Sequence, residues 1–194
     1  MEIVDINLVV VNLYPFEETS KKEGELSELI EMIDIGGPSL IRAAAKNYSR
    51  VCVVVDPEDY EEVSSAIEKQ QMNLDMRERL ALKAFQYTAK YDAYIQTELS
   101  ERFDLDIISN DYLNIIGKRK GELRYAENPH QSGAFYVDSK VDTPSIAAAK
   151  QIQGKQLSYN NILDFDGALA IVADFEEPTV VIIKHTNPCG VASS

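Results

Sequence analysis

The chain has 194 residues, 45% of them hydrophobic and 26% charged, with a formal net charge of −13. That length holds one generous domain or two modest ones, and the acidic balance excludes a nucleic-acid partner, since no basic stripe offsets phosphate repulsion. No stretch approaches the ~20 apolar residues of a membrane span, the N-terminus lacks the basic region and cleavage site of a signal peptide, and Cys52 and Cys189 fit reduced thiols in a cytoplasmic protein.

The first predicted element is a strand. "INLVVVNL" is a nearly continuous apolar run, the pattern of a strand covered on both faces in a parallel sheet. A polar loop with Pro15 follows, and then Leu26, Leu29, Ile30 and Ile33 fall at helical spacing. "DIGGPSLIRAAAKN" reads as a glycine turn leading into a helix with Pro38 at its first position, where a missing N–H costs nothing. Leu40, Ile41, Ala44 and Ala45 supply its apolar face. "RVCVVVD" reads as a second buried strand, and "PEDYEEVSSAIEKQ" as a helix opening on proline and acidic residues. The alternation indicates a parallel α/β layer. Leu80, Ala84, Phe85, Thr88, Tyr91, Ile95 and Leu99 then recur at steps of three and four, the core face of a long helix.

Periodicity fades between Asp104 and Leu123, where a domain junction is expected, and the basic run Lys118-Arg119-Lys120 reads as a solvated loop. Beyond it come a strand near Gly133–Val137, a polar segment through "GKQLSYNN", a helix at "ILDFDGALAIVADF", and a buried strand "TVVIIK" running into a glycine-containing loop. The second part is thin in regular elements for an independent core. Both ends read as cut, and the chain is expected to be an internal fragment.

Four stretches carry chemistry. In "DIGGPS", Gly36 and Gly37 at a helix entrance leave backbone N–H groups free for a phosphate or carboxylate, or they simply turn the chain. Asp34 stands at that turn, and Arg42 and Lys46 share a helix face further on. Tyr14 follows the first strand directly, at the end of a strand where open α/β sheets bind ligands. It either hydrogen-bonds a substrate or caps the core. "LRYAENPHQ" packs Arg124, Tyr125, Glu127, Asn128, His130 and Gln131 together, and the planar fork of Arg124 suits phosphate or carboxylate; an Asn-Pro turn is the alternative. In "IIKHTNPCG", His185 titrates in a range suited to proton transfer and Lys184 precedes it. "PCG" starts like a zinc deaminase motif, but the second cysteine position is Ala192, so a zinc site is excluded on spacing.

Taken in order, "VVVNLYPF", "IDIGGPSLIRAAAKN", "VVVDPEDY", "LRYAENPHQ", "LSYNNILD" and "KHTNPCGVA" closely resemble the AICAR transformylase/IMP cyclohydrolase family of late purine biosynthesis, over essentially the whole chain. The resemblance implies an α/β chain in two parts: residues 1–116 as the C-terminal part of a methylglyoxal-synthase-like cyclohydrolase domain, and residues 117–194 as the start of a cytidine-deaminase-like transformylase domain without zinc. By motif it implies Tyr14, Asp34 and Lys46 as cyclohydrolase catalytic residues, and Gly36 and Gly37 in the substrate cradle. It likewise implies Arg124, Tyr125 and Asn160 as binders of the aminoimidazole ribotide, and Lys184 and His185 as the catalytic pair of formyl transfer. The implied co-substrate is 10-formyltetrahydrofolate with no metal; the implied ligands are AICAR, FAICAR and IMP, in a cytoplasmic homodimer.

One departure stands out: the family usually has glycine where Ala126 stands, and a methyl there is unfavourable if the position needs φ > 0. A different class of protein, a non-catalytic nucleotide-binding module that keeps the cradle without the chemistry, is the competing expectation.

Overall fold

The computed structural model describes residues 5–22, 24–105, 111–138 and 144–194. The chain divides into two compact units, Met1–Asn114 and Ile115–Ser194.

The first unit is built on a parallel pair, β1 (Leu8–Val10) and β2 (Cys52–Val54), in register Leu8↔Cys52, Val9↔Val53 and Val10↔Val54. Helices α1 (Phe16–Ser20), α2 (Leu26–Glu31) and α3 (Gly36–Lys46) lie between the two strands in sequence, and α4 (Tyr60–Glu68) and α5 (Leu74–Arg102) follow. Side chains alternate across a strand, and β2 uses both faces. Val51, Val53 and Val55 cluster with Ile41, Ala44 and Ala45 of α3 and with Ala81 and Ala84 of α5. Cys52 and Val54 cluster with Val63 and Leu80. The run of alanines in α3 lets the helix approach the strand closely. Two short polar side chains fix starts here: Asp56 accepts from the Glu58 amide at 3.0 Å at the 3-10 turn Pro57–Asp59 before α4, and Asn73 from the Met76 amide at 2.9 Å at the head of α5.

Three expectations change here. The first strand is not covered on both faces: Leu8 and Val10 stay exposed while Val9 and Val11 pack on the core, because β2 is the one strand paired with it among the described residues. Pro38 is the third residue of α3, not the first, although it still lies in the turn whose N–H groups lack helical partners. Leu40 is exposed, so the buried stripe of α3 is Ile41, Ala44 and Ala45.

The second unit contains two antiparallel pairs and one helix: β3 (Lys118–Leu123) with β4 (Gly133–Val137), α6 (Tyr159–Ala173), and β5 (Thr179–Lys184) with β6 (Asn187–Ser193). The basic run Lys118-Arg119-Lys120 is therefore strand, not loop. Lys120 reaches the carbonyl of Ala149 at 2.7 Å and also that of Ala147, which gives that charge a structural task. β5 alternates half-buried with exposed residues instead of being covered on both sides, since α6 packs on one face and leaves Val180 and Ile182 open. The expected terminal loop is strand β6, so Cys189 is an exposed strand residue. Ser158 is the one buried side chain of this unit among the described residues. An apolar cleft of about 820 Å³ lies between β3, the segment after β4, and α6. Among the described residues no helix is long and apolar enough to cross a membrane.

Candidate functional site

In the first unit, Tyr14, Asp34, Gly36 and Gly37 sit where β1 ends and α3 begins. The chain after β1 alternates sharply in burial: Leu13 and Phe16 are buried, while Tyr14 between them is 55% exposed. Asp34 caps α3, accepting from the Gly37 amide through Oδ1 at 2.7 Å. This changes the expected cradle, because the Gly37 N–H already has a carboxylate partner and the helix start already carries negative charge. Gly37 is favoured for a different reason. A Cβ there would lie 2.5 Å from Leu13 Cδ2 and 2.6 Å from Asp34 Oδ2, whereas at Gly36 it would meet nothing within 4 Å. Leu13, Gly37 and Asp34 thus meet in one tight contact, with Tyr14 beside it.

Lys46 is not brought there. It is the last residue of α3, and the rise from Gly36 to Lys46 is roughly 15 Å. Arg42 does not point a free charge at the site either; its guanidinium lies over the Phe85 ring, 5.7 Å from the centroid.

In the second unit, the loop 124–131 docks on the start of α6. The Arg124 amide donates to the Leu157 carbonyl at 2.8 Å, the Tyr159 amide to the Tyr125 carbonyl at 3.1 Å, and Asn160 Nδ2 to the Glu127 carbonyl at 3.1 Å. Arg124 also stacks on Tyr125, with its guanidinium carbon 4.9 Å from the ring centroid. Side-chain hydrogen bonding with Ser158 and then with Arg124 holds the Tyr125 phenol below its ordinary range. Sequence placed Arg124, Tyr125 and Asn160 in one site, and these three do come together. Next to them, Arg124, His130 and Gln131 line a polar cleft of about 500 Å³, within the range of small-ligand sites.

Lys184 ends β5, and His185 and Thr186 form the two-residue turn into β6, with φ of 52° and 60°. Positive φ at both central positions is the signature of a type I′ hairpin turn, normally Asn-Gly. A β-branched threonine there is strained. The turn is held by side chains: the Thr186 amide donates to Asp164 Oδ1 at 2.8 Å, and Asn187 Nδ2 to the His185 carbonyl at 2.8 Å. Asn160 and Asp164 are one turn apart on α6, so a single helix face tethers both the 124–131 loop and the Lys184–His185 turn. The Lys184 and His185 side chains are both exposed.

A sequence profile of the AICARFT/IMPCHase bienzyme matches residues 44–194. The chain belongs to that family. It is 50% identical over 193 residues to the bifunctional purine biosynthesis protein PurH of Lactococcus lactis subsp. lactis, covering 99% of this chain and 37% of that protein. It is 47% identical over 195 residues to PurH of Persephonella marina (99% and 38%), and 49% over 195 residues to PurH of Listeria innocua (98% and 37%). The chain thus spans little more than a third of the length of these relatives. The crystal structure of ForH aligns with 48% of this chain and 50% of its own at 33% identity and a TM-score of 0.42.

For a member of this bienzyme family, the departure at Ala126 carries no left-handed backbone penalty. Its φ is not positive, so the methyl is unstrained; the crowding falls instead on Gly133, where a Cβ would lie 3.2 Å from that methyl. Sequence reasoning missed Ser158, Asn161 and Asp164. The first two form a capping box, with the Asn161 amide donating to Ser158 Oγ at 3.3 Å and the Ser158 amide to Asn161 Oδ1 at 3.0 Å, and "SYNN" carried that signal. Asp164 gave none, because its partner lies 22 residues away in sequence. Among the described residues no three His, Cys, Asp or Glu side chains gather to hold a metal.

Proposed function

We propose that this chain carries parts of two active sites that complete the purine ring. The family profile supports this reading by running through both units, and the motif residues support it by gathering at two separate loci. At the second-unit locus, the 5-amine of AICAR attacks the formyl carbon of 10-formyltetrahydrofolate. The C–N bond to the folate breaks, the folate nitrogen takes up a proton, and FAICAR is released. His185 accepts the amine proton, and Lys184 stabilises the negative charge developing on the formyl oxygen. Arg124, with Tyr125 and Asn160, holds the ribotide, a task suited to its planar fork. At the first-unit locus, the carboxamide nitrogen of FAICAR attacks its own formyl carbon and water leaves, giving IMP. Folding the substrate into attack geometry supplies much of that rate. Tyr14 and Asp34 handle protons and the leaving oxygen, with Gly36 lining the site. Lys46, at the other end of α3, acts on a different part of the substrate.

On the same reading, residues 1–116 are a methylglyoxal-synthase-like part and residues 117–194 the start of a cytidine-deaminase-like part of a cytoplasmic homodimer. The observation that carries the proposal is the shared face of α6 that holds the 124–131 loop and the Lys184–His185 turn. The test is a chimera in which this chain replaces the matched segment of the Lactococcus lactis PurH. His185→Ala is expected to lower formyl transfer about 100-fold or more, followed by tetrahydrofolate absorbance, while ring closure continues. Unchanged formyl transfer would refute the assignment. The chain alone is expected to perform neither reaction.

A further inference from the structure

We infer that Tyr87 and Tyr91 of α5 are positioning residues, which fix Tyr14 and Asp34 by holding the backbone beside the one and of the other. The inference rests on the ring-closing role proposed above and adds residues which that role does not include.

Residues 87, 91 and 94 recur at steps of four and three, so they share one face of α5. Their hydroxyls go to the segments that carry the candidate residues. Tyr87 Oη accepts from the Leu13 amide at 3.1 Å, next to Tyr14. Tyr91 Oη accepts from the Asp34 amide at 2.9 Å and donates to the Met32 carbonyl at 3.1 Å. With an N–H on one side and a carbonyl on the other, that hydroxyl has one proton orientation. Burial pushes the Tyr91 phenol above its ordinary range, which keeps its proton in place. Tyr94 differs: its hydroxyl pairs with Ser20 Oγ at 3.2 Å, away from both candidate residues.

The rings add a second restraint. Phe16, 1% exposed, stands edge-on to Tyr91 at 6.4 Å and to Tyr94 at 6.3 Å. Tyr14 is therefore pinned on both sides: its preceding residue by a hydroxyl and burial, and Phe16 by two rings. Asp34 is held at its amide by Tyr91 while its carboxylate holds Gly37. Phenylalanine at 87 or 91 would keep the ring packing and leave an amide without its acceptor, so the hydroxyls can be tested apart from the fold.

Two measurements follow. Amide exchange on the chain itself should rise at Leu13 in Tyr87→Phe and at Asp34 in Tyr91→Phe, with Val53 unchanged. In the Lactococcus lactis chimera, each variant should lower kcat for ring closure about 10-fold with KM within about 2-fold, the mark of misplacement rather than lost binding. Tyr94→Phe removes a hydroxyl from the same face and should leave kcat unchanged. The inference falls if Tyr87→Phe and Tyr91→Phe keep full kcat while Asp34→Asn loses it, or if Tyr94→Phe lowers kcat equally. If Asp34→Asn and Tyr14→Phe both keep full kcat, it is the ring-closing assignment that fails.

Discussion

The two units spend similar materials differently. All 17 buried hydrophobic side chains among the described residues belong to the first unit, and the second has none. In the first unit a three-residue strand is enclosed because helices cover both its faces. In the second, two hairpins and a helix make single-sided contacts, and Val180, Ile182 and Val191 remain exposed. What holds the second unit's candidate residues is polar: a capping box, tethers to backbone carbonyls, and an aspartate on a turn amide. Precise placement of side chains therefore does not need a sealed core, but it does need every tether to be made.

The largest contrast is expected from truncating one aliphatic in each unit. Ile41→Ala, at a position 0% exposed, should cost about 2–5 kcal/mol by urea unfolding, whereas Val181→Ala on half-buried β5 should cost less than about 1 kcal/mol. Thiol labelling reads the same contrast. Cys189 should react in the native protein, while Cys52, buried beside Val54 with its thiol pushed up by burial, should react only through opening that Ile41→Ala accelerates. Equal costs for the two truncations would erase the distinction.

Relieving the hairpin turn should have a smaller effect, of opposite sign. Thr186→Gly removes the penalty of a β-branched residue at φ of 60° and should stabilise the second unit by about 1 kcal/mol. Loss of stability would mean that the threonine hydroxyl, not its backbone, decides the turn.

The smallest effect is electrostatic and belongs to the first unit. Burial alone would raise the Glu17 carboxyl, but hydrogen bonds from Lys90 and Lys21, at 2.9 and 3.2 Å, outweigh it and hold it below its ordinary 4.5. A depressed carboxyl contributes stability above its unfolded value, and that contribution is lost as pH falls through the folded one. Glu17→Gln should therefore lower the thermal midpoint slightly at pH 7, and that difference should close as pH falls below about 4.5.

Local patterns made much of this legible. β2, α4, β4 and the long helix α5 follow from periodicity and caps, and the polar density of 123–131 marked a real cluster. Burial was misread wherever an apolar run met fewer neighbours than expected, as in β1 and β5, because a run of valines reports propensity and not what covers it. The exposure of Leu40 and the position of Pro38 turned on where α3 starts, which Asp34 decides. Sequence grouped Lys46 with Asp34, and the length of α3 separates them. Tyr87 and Asp164 were invisible as tethers, since their partners lie 74 and 22 residues away.

Gly37 carries a consequence for mutational routes. Any side chain there collides at once with Leu13 and with the Asp34 carboxylate. Shortening Leu13 clears one obstacle and leaves the other, while shortening Asp34 clears the second and removes the helix cap. A saturation library at residue 37 should be depleted in every residue relative to glycine, with alanine, which asks Leu13 and Asp34 to move least, the best tolerated.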